Sequence, residues 1–280
     1  MTGSASAPGS SGNLGPGFDV LGLAVDLRCR VTASLSSDMT VDDGEGPEPL
    51  AEDHIIHRAV NAATAGPMAI VVDNSVPRSR GLGSSAAVMA AAAAASVRAN
   101  GGEADRQAIY DIVARIEGHG DNAGPAVYGG LIAVGLDGPR SLPIHDRLVT
   151  VFGVPNAHLA TSEARGALPE LVALSTATRS VSRAVSLAEG LRTGDRAALA
   201  AARGDELHEA PRAALSPVTG SLIEAALAAG AMHAAWSGAG PTAIAFTTAE
   251  EADAVVQAMT GALGDNGEVM ILGVDYEGLR

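Results

Sequence analysis

The stretch PRSRGLGSSAA, residues 77–87, combines two glycines, two serines and the start of a long alanine run. Small residues in a loop let backbone N–H groups approach a ligand, and the positive end of the following helix favours an anion. This loop therefore predicts a phosphate-binding site. It is not a Walker A loop, because the GKS or GKT ending is absent.

The same glycines allow a dinucleotide-binding interpretation, since Gly81, Gly83 and Ala86 fit the pattern GxGxxA. That fold needs a strand ending in an acid about 20 residues beyond the glycines. Glu103 and Asp105 lie near that distance, but they open a predicted helix. The required strand is missing, so we place a nicotinamide-binding oxidoreductase last among the alternatives.

A second polar group lies in EGHGDNAGPAVYGG, residues 117–130. Glu117 and a hydroxyl of Ser84 or Ser85 are oxygen ligands of the kind Mg²⁺ prefers. Asp121 is a candidate to accept or to orient a substrate hydroxyl proton, and the residues leave both roles open. In isolation, such a cluster more often forms a helix end followed by a turn.

The composition restricts the chemistry further. All 18 basic residues are arginine, and the absence of lysine excludes Schiff-base chemistry and a Walker A lysine. A net charge of −14 disfavours nucleic acid as a partner. The single cysteine, Cys29, excludes an internal disulfide framework, and we expect it to be a buried small hydrophobe.

Neither the N-terminal residues nor the longest apolar run points to a membrane. The N-terminal residues 1–12 lack a charged region followed by an apolar one, so we expect no signal peptide. The longest apolar run, AAVMAAAAAASV, is too short to span a bilayer. We therefore expect a cytoplasmic protein with no membrane partner.

The elements that must position these residues follow from the hydrophobic pattern. For the first half, the pattern predicts strands over 22–35, 68–76 and 129–136, helices over 55–65, 84–99 and 103–118, and an acidic loop over 42–53. For the second half, it predicts strands over 148–155, 232–237, 242–247 and 268–274 and helices over 176–192, 195–204, 219–230 and 249–263. A polar, proline-containing connection over 139–146 separates the halves. We predict the α+β class, with domains 1–147 and 148–280.

Three motifs in this order resemble the homoserine kinases of the GHMP small-molecule kinase superfamily: PGSSGNLGPGFDVLGLAVDL (8–27), PRSRGLGSSAA (77–87) and WSGAGPTAIAF (236–246). Two further segments, TSEAR (161–165) and LHEAPR (207–212), resemble those that supply arginines to a substrate carboxylate. The resemblance implies a two-domain GHMP kinase fold, with an N-terminal domain of the ribosomal protein S5 domain 2 type and a ferredoxin-like C-terminal domain. It also implies ATP-dependent phosphorylation of the side-chain hydroxyl of L-homoserine.

The resemblance also implies a set of site residues. Catalysis would involve Ser85, Glu117 and Asp121, of which Ser85 and Glu117 would hold Mg²⁺. The phosphates of ATP would lie on Pro77, Arg78, Ser79, Arg80, Gly81, Leu82, Gly83, Ser84, Ser85 and Ala86. The small-molecule substrate would be bound by Asn13, Asp19, Asn122, Arg165, Arg212 and Gly238.

The chain departs from the family pattern at a few positions. It has SSGN, EGHGDN and HEAPR where the family usually has SSAN, EGHPDN and segments like HQPxR. Glycine at position 120 predicts a looser loop beside Asp121, and Trp236 predicts altered packing behind the glycine loop. Two alternatives stay open: a GHMP kinase for another hydroxy amino acid or small alcohol, and a non-catalytic ligand sensor on the same fold. A homodimer is compatible with the resemblance.

Overall fold

The first half of the chain builds a seven-stranded sheet with four helices, in a computed structural model that describes residues 1–280. Its elements are β1 (Thr2–Gly12), β2 (Leu21–Leu35), β3 (Thr40–Asp42), β4 (Glu48–Pro49), α1 (Ile55–Ala63), β5 (Met68–Asn74), α2 (Ser84–Ala99), α3 (Arg106–Glu117), α4 (Ala123–Tyr128), β6 (Leu131–Gly135) and β7 (Gly138–Leu142). The strand order is β4-β3-β5-β2-β6-β7, and β1 pairs antiparallel with β2.

Helix α2 is the centre of this half, and its alanines explain how closely it packs. Every residue from Ala86 to Ser96 is buried, so the helix has no solvent face over this span. The backbone of β1 lies directly on it, because a side chain at Gly3 would collide with the Ala95 carbonyl. The helix is therefore held on all sides, which fixes the position of its N-terminus. Neither α2 nor any other helix is long and apolar enough to cross a membrane.

The second half forms a four-stranded antiparallel sheet. Its elements are β8 (Val149–Pro155), α5 (Thr161–Gly166), α6 (Leu174–Thr193), α7 (Arg196–Ala201), α8 (Glu209–Arg212), α9 (Pro217–Ala228), β9 (His233–Trp236), β10 (Ala243–Thr247), α10 (Ala252–Leu263) and β11 (Gly267–Leu272). The strand order is β11-β8-β10-β9. With helices after β8 and β10, this is the ferredoxin-like arrangement that the resemblance implied.

The two halves share a core and a C-terminal strap. Leu14 and Leu23 of the first half lie in one buried cluster with Phe152 and Phe246 of the second. After β11, residues 273–280 return to the first half, where Asp275 forms an ion pair with Arg28. The division at 147/148 remains a prediction: the second sheet starts at Val149, but the final residues pack against the first half.

Most predicted elements are confirmed, and the differences have physical reasons. The segment predicted as a connection over 139–146 instead contains β7, which pairs with β6 although its own sequence, GPRSL, is polar. Strand β1 was not predicted, because its residues 4–12, SASAPGSSG, include neither β-branched nor aromatic side chains. It is stabilised by pairing along β2 and by contact with α2, which no local pattern reveals.

Candidate active site

The loop over 77–83 joins β5 to α2 and adopts the left-handed conformation at three residues. Ser79, Gly81 and Gly83 have φ of 56°, 80° and 65°. Gly83 precedes the helix and contributes no side-chain cap, so the first N–H groups of α2 have no capping partner. An uncapped helix N-terminus that opens into a cavity is an anion-binding geometry.

Three glycine-containing motifs, distant in sequence, meet at this loop. A side chain at Gly81 would collide with the Ser237 carbonyl, and one at Gly83 would collide with the Ser10 hydroxyl. The Ser237 hydroxyl donates to the Gly81 carbonyl at 2.6 Å, and the Ser10 N–H donates to the Leu82 carbonyl at 2.9 Å. The motifs around residues 10, 81 and 237 therefore form one backbone cradle that only small residues allow.

The two serines that begin α2 have different neighbours. The Ser84 hydroxyl accepts a hydrogen bond from Asn74 Nδ2 at 2.9 Å. The Ser85 side chain instead lies next to the carboxyl group of Glu117, the last residue of α3. Burial raises the pKa of Glu117 to about 7, and the nearby charge of His119 and the Ser85 hydroxyl oppose that rise. Glu117 Oε2 is buried without a hydrogen-bond partner, so this carboxyl is placed for a ligand that the chain does not supply.

Asp121 is buried in the turn between α3 and α4. His119 Nδ1 lies 2.5 Å from Asp121 Oδ1. Burial lowers the pKa of His119, but the hydrogen bond to Asp121 and the charge of that carboxylate raise it further, to a value above the ordinary one. The carboxylate fits only because residue 12 is glycine, since a side chain there would collide with Asp121 Oδ2. Asn122 is fixed beside it, accepting from the Ser10 hydroxyl at 3.0 Å.

Asp19 lies next to this group, since one carboxylate oxygen of Asp19, one of Asp121 and a ring nitrogen of His119 all lie within 4.8 Å of one another, and Asp19 pairs with Arg165. The two guanidinium nitrogens lie 2.6 and 3.2 Å from the two carboxylate oxygens. Asn13 holds Asp19 in place, because its Oδ1 accepts from the Asp19 N–H at 2.9 Å, while its Nδ2 donates to the Gly238 carbonyl at 2.9 Å. Both polar ends of Asn13 are thus already bonded to the protein.

Arg212 is the most deeply buried cation of the site, with 1% of its surface exposed. It extends from α8, donates from Nε to the Ala164 carbonyl at 3.0 Å, and reaches the same cavity as Arg165. Two guanidinium groups from the second half therefore face the two carboxylates, Asp19 and Asp121, that the first half contributes.

A cavity of about 260 Å³ brings most of the predicted residues together. It is lined by Asn13, Asp19, Pro77, Ser79, Gly81, Leu82, Gly83, Ser84, Ser85, Glu117, Asp121, Asn122, Arg165, Arg212 and Gly238. Three residues predicted to bind phosphate do not line it. Ala86 is buried in the helix core, Arg80 faces a cleft behind the loop, and Arg78 pairs with Asp43 at 3.0 Å. The loop turns its backbone toward this cavity, whereas Arg78 lines the adjoining cavity described next.

Sequence analysis missed a second, adjoining cavity of about 240 Å³. Its apolar walls come from Val41, Ile55, Ile56, Val72 and Val88, and polar side chains including those of Asp43, His54, Asn74 and Arg78 complete its lining. It shares Ile55, Ser79, Ser84 and Ser85 with the first cavity. A partly apolar cavity with a few polar groups that opens onto a phosphate loop suits a nucleoside. The residues that form this cavity come from β3, α1, β5 and α2, so the cavity exists only when these elements pack together and no local sequence pattern predicts it.

Comparisons with known proteins agree with this architecture. The family model for the GHMP kinases N terminal domain matches residues 53–130, and the one for the GHMP kinases C terminal domain matches residues 187–266. The homoserine kinase of Thermus thermophilus is 36% identical, with 95% of this chain and 94% of that protein covered. The homoserine kinase of Moorella thermoacetica is also 36% identical, with 85% of each chain covered.

A solved structure extends the likeness to three dimensions. The crystal structure of homoserine kinase from Cytophaga hutchinsonii superposes with a TM-score of 0.88 and is 27% identical, with 100% of this chain and 96% of that chain covered. The two-domain GHMP kinase fold is thereby confirmed. Taken with the identity to the curated relatives over nearly the whole chain, it means that this chain belongs to the homoserine kinase family of the GHMP kinases.

Proposed function

We infer that the protein transfers the γ-phosphoryl group of ATP to the side-chain hydroxyl of L-homoserine, giving O-phospho-L-homoserine. One observation carries this inference: an uncapped helix N-terminus and a paired Asp19 and Arg165 face the same cavity. The first suits phosphate groups, and the second suits the two charges of an amino acid. The three relatives compared above are each named homoserine kinase, which supports the same substrate.

The nucleotide would occupy both cavities. The nucleoside fits the apolar walls around Val72 and Val88, and the phosphates fit the backbone of loop 77–83 and the first turn of α2. Because no lysine exists in the chain, charge on the phosphates must be met by backbone N–H groups, the helix dipole, arginine or a metal ion.

The residues fit a magnesium ion at Glu117 and Ser85. The orphaned, buried Oε2 of Glu117 is the observation that supports a cation there, and Ser85 is free of the Asn74 contact that engages Ser84. When bound, Mg²⁺ would neutralise charge on the phosphates. Ser85 rather than Ser84 is therefore the proposed second ligand.

For the substrate, we assign Arg165 and Arg212 to the carboxylate and Asp19 to the ammonium group. Asn13 positions Asp19, and Gly238 leaves room for the substrate by lacking a side chain. The hydroxyl oxygen then attacks the γ-phosphorus as the bond to the β,γ-bridging oxygen breaks; ADP leaves, and the hydroxyl proton is released to solvent. Catalysis comes chiefly from alignment and charge stabilisation.

Asp121 orients the hydroxyl in this proposal and is not the general base. Its Oδ1 is already engaged by His119 at 2.5 Å, and Asn122 lies beside it. The tight contact with His119 occupies this oxygen, so Oδ1 is not available to accept the substrate proton. A loose phosphoryl-transfer transition state needs little early deprotonation of the alcohol.

The function is tested by ADP release from Mg-ATP with purified protein. L-Homoserine is compared with L-threonine, L-serine, mevalonate, galactose and no acceptor. Homoserine-dependent turnover well above every other acceptor is expected. Turnover with another acceptor alone would leave a kinase with a different substrate, and ligand binding without turnover would leave a sensor.

We also propose that the enzyme works in the cytoplasm, where its substrate ATP is available.

We further propose that two copies associate through α6. One face of this helix carries three exposed apolar residues, Leu174, Val181 and Val185, which are 84%, 65% and 66% exposed and are spaced by seven and four positions. A two-fold axis midway between Leu174 and Val185 would set Leu174 of one copy opposite Val185 of the other, so the stripe is complementary to itself.

The charges beside the stripe support this association. Arg179 and Arg183 both pair with Glu206 of the same chain, so the flank of the stripe brings no unpaired arginine to a partner. Light scattering on the wild type should give twice the chain mass of 27.9 kDa. Val181→Arg should give the monomer, whereas Val71→Arg, at an exposed valine of β5, should not. A monomeric wild type would contradict the proposal.

A further inference from the structure

The segment between β1 and β2, residues 13–20, carries Asn13 and Asp19 and is called the substrate loop here. Two consecutive carbonyls of this loop are each bound by a histidine of the second half. His233 Nε2 lies 3.0 Å from the Leu14 carbonyl, and His208 Nε2 lies 2.8 Å from the Gly15 carbonyl. Both imidazoles are fully buried. The loop needs such support, because Asn13 and Leu14 have φ of 68° and 55°, an unfavourable region for residues with a side chain.

The second ring nitrogen of His208 distinguishes it from His233. His208 Nδ1 lies 3.0 Å from Arg212 Nη1. A guanidinium group can only donate, so Nδ1 must accept, and the single proton of the neutral ring must lie on Nε2, where it is donated to Gly15. The environment thus admits one tautomer of His208. Nδ1 of His233, in contrast, is buried with no partner.

This bond helps to fix where the guanidinium of Arg212 points. Nε donates to the Ala164 carbonyl, and Nη1 donates to His208 Nδ1 and lies 3.4 Å from the Gly238 carbonyl, which leaves Nη2 as the nitrogen without a protein acceptor. Phe18 closes the arrangement from the side. Its ring stacks on His208 with centroids 5.1 Å apart, and the Arg212 guanidinium carbon lies 5.7 Å from the ring centroid.

We propose that His208 is a positioning residue for substrate binding: as the Nε2–H tautomer, it joins the Gly15 carbonyl to Arg212 and so aims Nη2 at the substrate carboxylate. The inference rests on the proposed function for the identity of that carboxylate. His208 does not line the cavity and touches no reacting group, so it acts only through Arg212 and the loop. One ring thereby couples the two halves of the substrate site.

Paired substitutions separate this role from a merely structural one. His208→Leu keeps an apolar side chain against Phe18 but removes the acceptor, and we expect the KM for homoserine to rise about tenfold or more, with the KM for ATP unchanged. His208→Asn retains an acceptor oxygen on a short side chain and should recover much of the loss. His233→Leu is the matched control, since it removes the neighbouring carbonyl contact without touching an arginine.

Three results would overturn the proposal. They are an equal rise in the KM for homoserine in His208→Leu and His233→Leu, an equal rise in the KM values for homoserine and ATP in His208→Leu, and no recovery in His208→Asn. Absence of homoserine turnover in the wild type would instead count against the proposed function.

A spectroscopic measurement on the wild type does not depend on turnover. Long-range ¹H–¹⁵N spectra report which imidazole nitrogen carries a proton, and the His208 signals can be assigned by isotope labelling and by their loss in His208→Asn. At pH 7, we expect Nε2 to be protonated and Nδ1 to be bare. An Nδ1–H tautomer or an imidazolium would overturn the proposal, because Nδ1 could then not accept from Arg212.

Discussion

Arg165 and Asp19 neutralise each other on the wall of the cavity through two contacts of 2.6 and 3.2 Å. The proposed function assigns these two side chains to opposite ends of one substrate, the carboxylate and the ammonium group. Without substrate, each charge is held by the other. About a third of each side chain is exposed, so a zwitterion can enter and replace the pair at both ends without uncovering a buried charge.

Arg165→Met should therefore raise the KM for homoserine by roughly 10- to 100-fold, because a charge-assisted hydrogen bond to the carboxylate is lost and Asp19 loses its partner. The KM for ATP should stay unchanged, and steady-state kinetics with each substrate varied in turn checks both values. Arg179→Met is the control, since Arg179 pairs with the exposed Glu206 away from the cavity. Equal changes in the two KM values of Arg165→Met would contradict the assignment.

Asp121→Asn tests whether this residue orients the substrate or removes its proton. An orienting role predicts a fall in kcat of about tenfold, because the amide keeps an oxygen in place of the carboxylate, whereas loss of a general base costs about 10² to 10⁴. The rate is measured under saturation with both substrates. Complete loss of turnover with homoserine binding intact would identify Asp121 as a base.

Glu117→Gln tests the proposed cation ligand. The substitution keeps the shape but removes the charge, so we expect a higher Mg²⁺ concentration for half-maximal rate and a kcat lower by roughly 100-fold. Titration of the rate with Mg²⁺ at saturating ATP gives both quantities.

Glu209 supplies a matched control for that experiment. Burial also raises its pKa to about 7, but its Oε1 accepts from the Trp236 N–H at 2.7 Å and it does not line the cavity. Glu209→Gln should leave the Mg²⁺ dependence unchanged. If both variants shift that dependence equally, the effect comes from buried charge in general and not from a ligand at Glu117.

The phosphate loop could be predicted from sequence because its requirements are local. Glycines at 81 and 83 and the serines of α2 carry the whole signal within a few residues. The orientations of Arg78 and Arg80 could not be predicted, because they depend on how the loop packs against Ser237 and Ser10, far away in the chain. The bond between Arg212 and His208 follows from helix geometry, because the two residues are four positions apart. The bond between His208 and the Gly15 carbonyl could not be predicted, because Gly15 is far away in the chain.

Gly120 illustrates the same limit. From sequence, glycine in place of the usual proline predicts a looser loop. In the structure, Gly120 is buried, and a side chain there would lie 2.5 Å from the Tyr110 hydroxyl. The space beside the loop is thus occupied by a tyrosine ten residues earlier, on the facing turn of α3.

His233 makes the stability depend on pH in a direction that can be stated. Burial lowers its pKa to about 4, and its Nε2–H bond to Leu14 is opposed to that change. A lowered histidine pKa means that the unfolded chain takes up a proton below about 6.5 while the folded chain does not. The contribution of His233 is therefore fully present above pH 6.5 and is lost as the pH falls toward 4, by about 2 kcal/mol at pH 5.

The pH dependence of wild-type stability alone will not reveal this loss, because Glu117 and Glu209 contribute a pH dependence of the opposite sign. Their raised pKa values mean that the folded chain binds protons more readily, so their contribution is fully present below about pH 4.5 and is lost as the pH rises through about 7. The measurement is therefore the difference in unfolding free energy between the wild type and His233→Asn, by urea denaturation at pH 5 and pH 7. The variant should be the less stable protein at pH 7, and its deficit should shrink by about 2 kcal/mol at pH 5. A deficit that is the same at both pH values would mean that His233 accepts a proton in the folded state as readily as in the unfolded one, and that its burial does not control its charge.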